Sequence, residues 1–164
     1  MLGELAGLEA VAGRGRREII SIEGGGKVAL LDESYNANPV SMRAAIDVLA
    51  VQSGRRVAIL GDMLELGADS ERMHADLAEA LEQADVGLLL LAGPMTAALA
   101  EAVGARIECH HVESSTELAG ELHRWLKPGD AVLVKGSLGS RMQLVVDAIR
   151  GLGQPVDAGA REEV

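Results

Sequence analysis

Aromatic side chains are nearly missing from this sequence: Trp125, Tyr35 and no Phe in 164 residues. A module that holds single-stranded nucleic acid by base stacking needs such rings, so this class finds no support. Cysteine is equally scarce. The lone Cys109 excludes an intrachain disulfide framework and fits a reducing cytosol. Positive charge is short as well, with 15 Lys and Arg against 25 Asp and Glu, a net charge of −10 and a pI near 4.8. Nucleic acid and anionic membrane surfaces are repelled on average, whereas an anionic metabolite remains possible where basic residues gather locally. No apolar stretch approaches the roughly 20 residues that span a bilayer. The start, Met1-Leu2-Gly3-Glu4, lacks the basic region and apolar core of a signal peptide. The expectation is a soluble, cytoplasmic chain.

What is abundant is aliphatic. Hydrophobic residues make up 48% of the chain, so Leu, Val, Ile, Ala and Met must fill the core, which favours helices packed on a sheet. The length suits one domain. Short apolar runs alternate with amphipathic segments, the pattern of βα units around a mostly parallel sheet. The runs are 27–31, 56–60, 86–91, 107–112 and 131–134, mostly apolar without alternation, as expected of strands covered on both faces. The alternating segment 17–23 is expected to pair with the first run across Gly24-Gly25-Gly26. Helices are expected over 41–52, 70–83, 96–103, 115–126 and 140–152, with Lys127-Pro128-Gly129-Asp130 as a stop before the last strand. The fold class is therefore α/β: a Rossmann-like three-layer sandwich with helices on both faces.

Ligands of open α/β sheets sit beyond the carboxyl ends of the strands. Three runs end there in polar groups: Asp32-Glu33-Ser34-Tyr35-Asn36-Ala37-Asn38-Pro39, Gly61-Asp62-Met63-Leu64-Glu65-Leu66-Gly67, and Lys135-Gly136-Ser137-Leu138-Gly139-Ser140-Arg141. Singly, the acids could cap helices or turns, Asn36 and Asn38 could form turns, and Lys135 could be a solvated strand end. Together they are more polar than a capped scaffold needs, and they indicate a ligand edge. Gly24-Gly25-Gly26-Lys27 is no P-loop, because neither Ser nor Thr follows the Lys and a strand comes next. His110 and His111 are strand neighbours whose side chains point to opposite faces, a poor start for a metal site. Cys109 and the Met residues read as core, and His74 as surface or packing.

With these blocks in view, the sequence resembles the carboxy-terminal domain of the Mur ligase family, in particular the branch that adds D-alanyl-D-alanine to UDP-N-acetylmuramoyl-tripeptide. Asp32 through Met42, Gly61 through Gly67 and Val134 through Met142 resemble three of its blocks, and Gly13-Arg14 resembles the opening of the domain. They stand in the family's order across most of residues 11–150. The resemblance implies a larger enzyme whose amino-terminal domain and central ATPase domain lie outside this sequence, with residues 1–12 as linker, 13–152 as the carboxy-terminal domain and 153–164 as a flexible tail.

The same resemblance implies ATP as co-substrate, Mg²⁺ held by the central domain, and amide synthesis through an acyl phosphate. It places Arg14 at the ATP phosphates, Asp32 and Glu33 at the ribose, and Tyr35, Asn36 and Asn38 along the nucleotide. Lys135, Ser137 and Arg141 face D-alanyl-D-alanine, with Arg141 near the family's Arg position that Leu138 occupies here. It implies no catalytic residue in this domain, no activity of the domain alone, a monomer, and neither nucleic acid nor membrane as partner. Two other readings share the fold type. A receiver-like signalling domain needs a phosphoacceptor Asp at the end of the central strand, where Leu91-Ala92-Gly93-Pro94 stands. A free-standing dinucleotide module needs a Gly-x-Gly-x-x-Gly turn that the first strand lacks.

Overall fold

Chain direction explains the layering of this protein. A computed structural model describes residues 16–153; Arg14, the 1–12 segment and all but the first residue of the expected tail lie outside them. Strand β1 (Arg16–Ile22) pairs antiparallel with β2 (Gly26–Glu33), with Ile22 opposite Gly26. The expected hairpin is present: Gly24 and Gly25, at φ 101° and 100°, make the reversal that other residues resist. β3 (Arg56–Gly61), β4 (Leu88–Ala92), β5 (Cys109–Val112) and β6 (Ala131–Lys135) complete a six-stranded sheet in the order β1-β2-β6-β3-β4-β5, parallel from β2 onward.

Progress from β2 through β3 and β4 to β5 runs one way across the sheet, and the return to β6 runs the other. Right-handed crossovers therefore put the helices before and after the reversal on opposite faces. On one face lie α1 (Pro39–Ala50), α2 (Ser70–Ala75), α3 (Ala78–Gln83) and α4 (Ala97–Val103), over Leu31, Ala58, Leu60, Leu89, Leu91 and Leu133. On the other lie α5 (Ser115–Ala119) and α6 (Gln143–Gly151), over Val28, Leu30, Val57, Ile59, Leu90, Val132 and Val134. These strand residues are almost wholly buried, which accounts for runs that are apolar at every position.

Three expected helices differ from those observed. The 70–83 segment breaks into α2 and α3 where the Leu77 amide bonds back to the His74 carbonyl, a tighter turn than the α-helix makes. The 115–126 segment stops at Gly120 and resumes as one 3₁₀ turn, Leu122–Arg124. The 140–152 segment begins late, because Arg141 adopts a left-handed conformation (φ 60°, ψ 40°) between a 3₁₀ turn at Leu138–Ser140 and α6. At the amino edge of the sheet, Arg55 donates to both Asp130 carboxylate oxygens and to the Trp125 carbonyl. That fork holds the Lys127–Asp130 turn.

Candidate functional site

The strand order fixes where a site can form. β6 is followed by a helix on one face, while its neighbours β2 and β3 are followed by helices on the other. The connections therefore diverge on both sides of β6 and leave crevices at its carboxyl end. The loops around these crevices are 33–38, 61–67 and 135–141, the three polar blocks that the sequence singles out.

Alternation along β2 separates the two acids. Asp32 faces the α6 side and is fully buried. Its Oδ1 accepts from the Ser34 amide and from Ser34 Oγ, at 3.1 and 2.7 Å, and Oδ2 lies 3.5 Å from the Arg150 guanidinium. Glu33 faces the α1 side and is partly exposed. Its Oε1 stands 3.8 Å from Lys135 Nζ, which donates to the Asn36 carbonyl at 2.9 Å. Burial pushes the Lys135 amine below its ordinary range, and the Glu33 charge partly restores it.

Tyr35, Asn36 and Asn38 are exposed on the connecting loop. Asn38 caps α1: its Oδ1 accepts from the Ser41 amide, Ser41 Oγ accepts from the Asn38 amide, and Pro39 takes the first helical position. The Asn36 side chain accepts from the Ala37 amide. Asn38 thus fills the helix-starting role that its sequence position allows, with the loop still open to solvent.

Ser137 joins all three loops. Its amide donates to the Asp62 carbonyl, and its hydroxyl accepts from the Leu64 amide at 2.9 Å and donates to the Ala37 carbonyl at 3.3 Å. Gly61 and Gly136 allow this approach, since a Cβ on either would stand within 2.7 Å of Met142. Asp62 is buried; its Oδ1 accepts from the Thr96 amide. Burial raises the Asp62 carboxyl above its ordinary value, opposed by the backbone amides of Thr96 and Met95.

Two clefts result. One, about 520 Å³, is lined by Asn36–Asn38, Leu64–Leu66 and Ser137–Gly139. The other, about 250 Å³, lies between the ends of β3, β4 and β5 and takes in Asp62, Gly93, Pro94, Glu113 and Arg141. The structure therefore gathers Asn36, Asn38 and Ser137 around one cleft and sets Arg141 in its neighbour. Lys135 and Ser137 are buried, and Arg141 is exposed. Sequence reasoning missed Asp62 as a tie to the β4 loop, and His74, which is buried and bonded to the 61–67 loop. The one available signal for His74 was its position shortly after that loop.

Comparison with known proteins agrees with this geometry. The family model described as "Mur ligase, glutamate ligase domain" matches residues 15–138. The UDP-N-acetylmuramoyl-tripeptide–D-alanyl-D-alanine ligase of Escherichia coli is 38% identical over 151 residues, covering 91% of this chain and 32% of the relative. The enzyme of the same name from Bacillus subtilis is 30% identical over 136 residues, covering 80% and 29%. Among solved structures, the MurF ligase of Thermotoga maritima in complex with ADP superposes with a TM-score of 0.73 at 26% identity, covering 92% of this chain and 33% of that one. MurF of Acinetobacter baumannii gives 0.72 at 28% identity, covering 85% and 31%. The chain spans about a third of the length of these relatives. With the family model covering most of its length, the chain belongs to the Mur ligase family, as its glutamate ligase domain.

Proposed function

We propose that this chain is the carboxy-terminal domain of an ATP-dependent ligase that adds D-alanyl-D-alanine to UDP-N-acetylmuramoyl-tripeptide in peptidoglycan synthesis. The observation that carries the reading is the junction of the three loops at the switch point, in a chain 38% identical to the E. coli enzyme of that name. In this reading the nucleotide lies over the 33–38 loop, beside Tyr35, Asn36 and Asn38. Glu33, partly exposed, takes the ribose, while Asp32 fixes the Ser34 turn from beneath. Arg14 reaches the phosphates. Lys135 and Ser137 act through the loops they hold, and Arg141 offers its guanidinium to the dipeptide carboxylate.

The chemistry is amide formation in two steps. ATP phosphorylates the terminal carboxylate of the tripeptide and leaves as ADP; the dipeptide amine then attacks the carbonyl carbon, loses a proton, and inorganic phosphate departs. This domain contributes orientation and charge complementarity rather than a reacting group, so it turns over no substrate alone. In this reading Mg²⁺ belongs to the central domain. No described helix is long and apolar enough to cross a membrane, and the enzyme is proposed to act in the cytoplasm as a monomer.

Kinetics of the full-length enzyme carrying this domain test the reading. Parental protein should convert the UDP-tripeptide only with both ATP and D-alanyl-D-alanine. Arg141→Ala should raise KM for the dipeptide by about tenfold or more, the effect of losing one charged hydrogen bond, and leave KM for ATP nearly unchanged. No ligation by the parental enzyme would refute the reading, and an Arg141 effect confined to ATP would move that residue to the nucleotide.

A further inference from the structure

His74 has its two ring nitrogens committed to opposite roles. Nδ1 lies 2.7 Å from the Ser70 carbonyl oxygen, which can only accept, so Nδ1 carries a proton. Nε2 lies 2.9 Å from the Met63 amide nitrogen, which can only donate, so Nε2 must be bare. The imidazole is thereby fixed neutral, in the Nδ1–H tautomer. Its environment gives it no alternative, since the residue is 1% exposed. His111 shows the contrast: its Nε2 faces the Gly93 carbonyl and therefore carries the proton.

The acceptor on His74 matters because of what it holds. Met63 is wholly buried, and its peptide sits between Asp62, tied to the Thr96 amide, and Leu64, tied to Ser137. The first residues after β3 are thus pinned from three directions: α2, the loop after β4 and the loop after β6. Leu64, Glu65 and Leu66 then form one wall of the 520 Å³ cleft. Glu65 takes a left-handed φ of 65°, a conformation that costs a non-glycine residue energy and persists where its surroundings fix it. Removing the His74 acceptor would leave a buried amide unpaired at the root of this wall.

We infer that His74 is a positioning residue: as the neutral Nδ1–H tautomer, it sets the 61–67 loop that forms one wall of the substrate cleft. The kinetic consequence rests on the ligase reading; the structural one does not. Side chains that differ in acceptor separate the roles. In His74→Gln the amide oxygen can reach the place of Nε2 and accept from Met63, whereas His74→Leu fills the space without an acceptor.

Imidazole ¹⁵N shifts of this chain at neutral pH should show a protonated Nδ1 and a bare Nε2. Hydrogen exchange at the Met63 amide should stay slow in His74→Gln and quicken by about tenfold or more in His74→Leu, the factor that one lost buried hydrogen bond carries. In the full-length enzyme His74→Leu should raise KM for a cleft substrate with a smaller change in kcat, and His74→Gln should recover most of it. An Nε2–H or doubly protonated ring, or a Met63 amide equally protected in both variants, overturns the inference. If His74→Leu does not fold, the parental tautomer and Met63 protection in His74→Gln decide. Loss of protection without a KM change would leave His74 purely structural and overturn its role at the cleft. An inactive parental enzyme with the expected tautomer and exchange would refute the ligase reading instead.

Discussion

Ser137 Oγ accepts the Leu64 amide proton across 73 positions of sequence, and the same hydroxyl donates to the Ala37 carbonyl. One side chain thereby ties together the loops on both sides of β6. Ser137→Ala leaves the part-buried Leu64 amide and the buried Ala37 carbonyl without this partner, so it should destabilise the chain by about 1–3 kcal/mol. Urea unfolding reads this as a lowered midpoint with unchanged slope. An unchanged midpoint would mean that the loops meet without the hydroxyl.

Lys135 makes its contacts beneath the 33–38 loop, to Glu33 and the Asn36 carbonyl. Lys135→Met keeps the buried stem and removes the charge. In the full-length enzyme it should raise KM for ATP more than KM for the dipeptide, by roughly tenfold if one charged hydrogen bond is lost. An effect on the dipeptide alone would place the amine against that substrate.

Asp62 carries a pH signature. Burial raises its folded pKa above the ordinary 3.8, so the folded state holds the proton more tightly than the unfolded one. The resulting stability is fully present below about pH 4 and is lost as pH rises through the folded pKa. Asp62→Asn retains an oxygen for the Thr96 amide but cannot titrate. Stability measured from pH 3 to 7 should fall less steeply, or rise more, in the variant than in the parent; parallel profiles would contradict the assignment.

How much of this was legible in the sequence depends on the range of each contact. Strands β3, β4 and β6 announce themselves because both faces are covered and their central residues are all apolar. The three polar loops are visible because they follow those strands directly. The opposite facing of Asp32 and Glu33 follows from strand alternation and could have been read from their adjacency. The role of Ser137 could not, since its partners lie 73 and 100 positions away. Nor could the late start of α6, because periodicity does not reveal that Arg141 takes a left-handed φ. Local patterns specify elements, whereas the site arises from loops that meet only after the sheet has formed.

Cys109 offers a check on the covered face of β5. Burial pushes its thiol from 9.0 up to about 11, which lowers the thiolate fraction at pH 8 about a hundredfold. Iodoacetamide should therefore label the folded chain more slowly than the urea-unfolded chain, by on the order of a hundredfold. Equal rates would mean that β5 is open to solvent.

The central claim, that residues 13–152 form the dipeptide-adding domain of a Mur ligase, is tested most directly by a chimera. This segment would replace the matching carboxy-terminal third of the E. coli relative, and product formation would be followed with UDP-N-acetylmuramoyl-tripeptide, ATP and D-alanyl-D-alanine. The account predicts ATP-dependent addition of the dipeptide, slowed about tenfold or more when Arg141→Ala is introduced at subsaturating dipeptide. A folded chimera that binds ATP and the UDP-tripeptide yet adds no D-alanyl-D-alanine, or adds a different amine in its place, would contradict it.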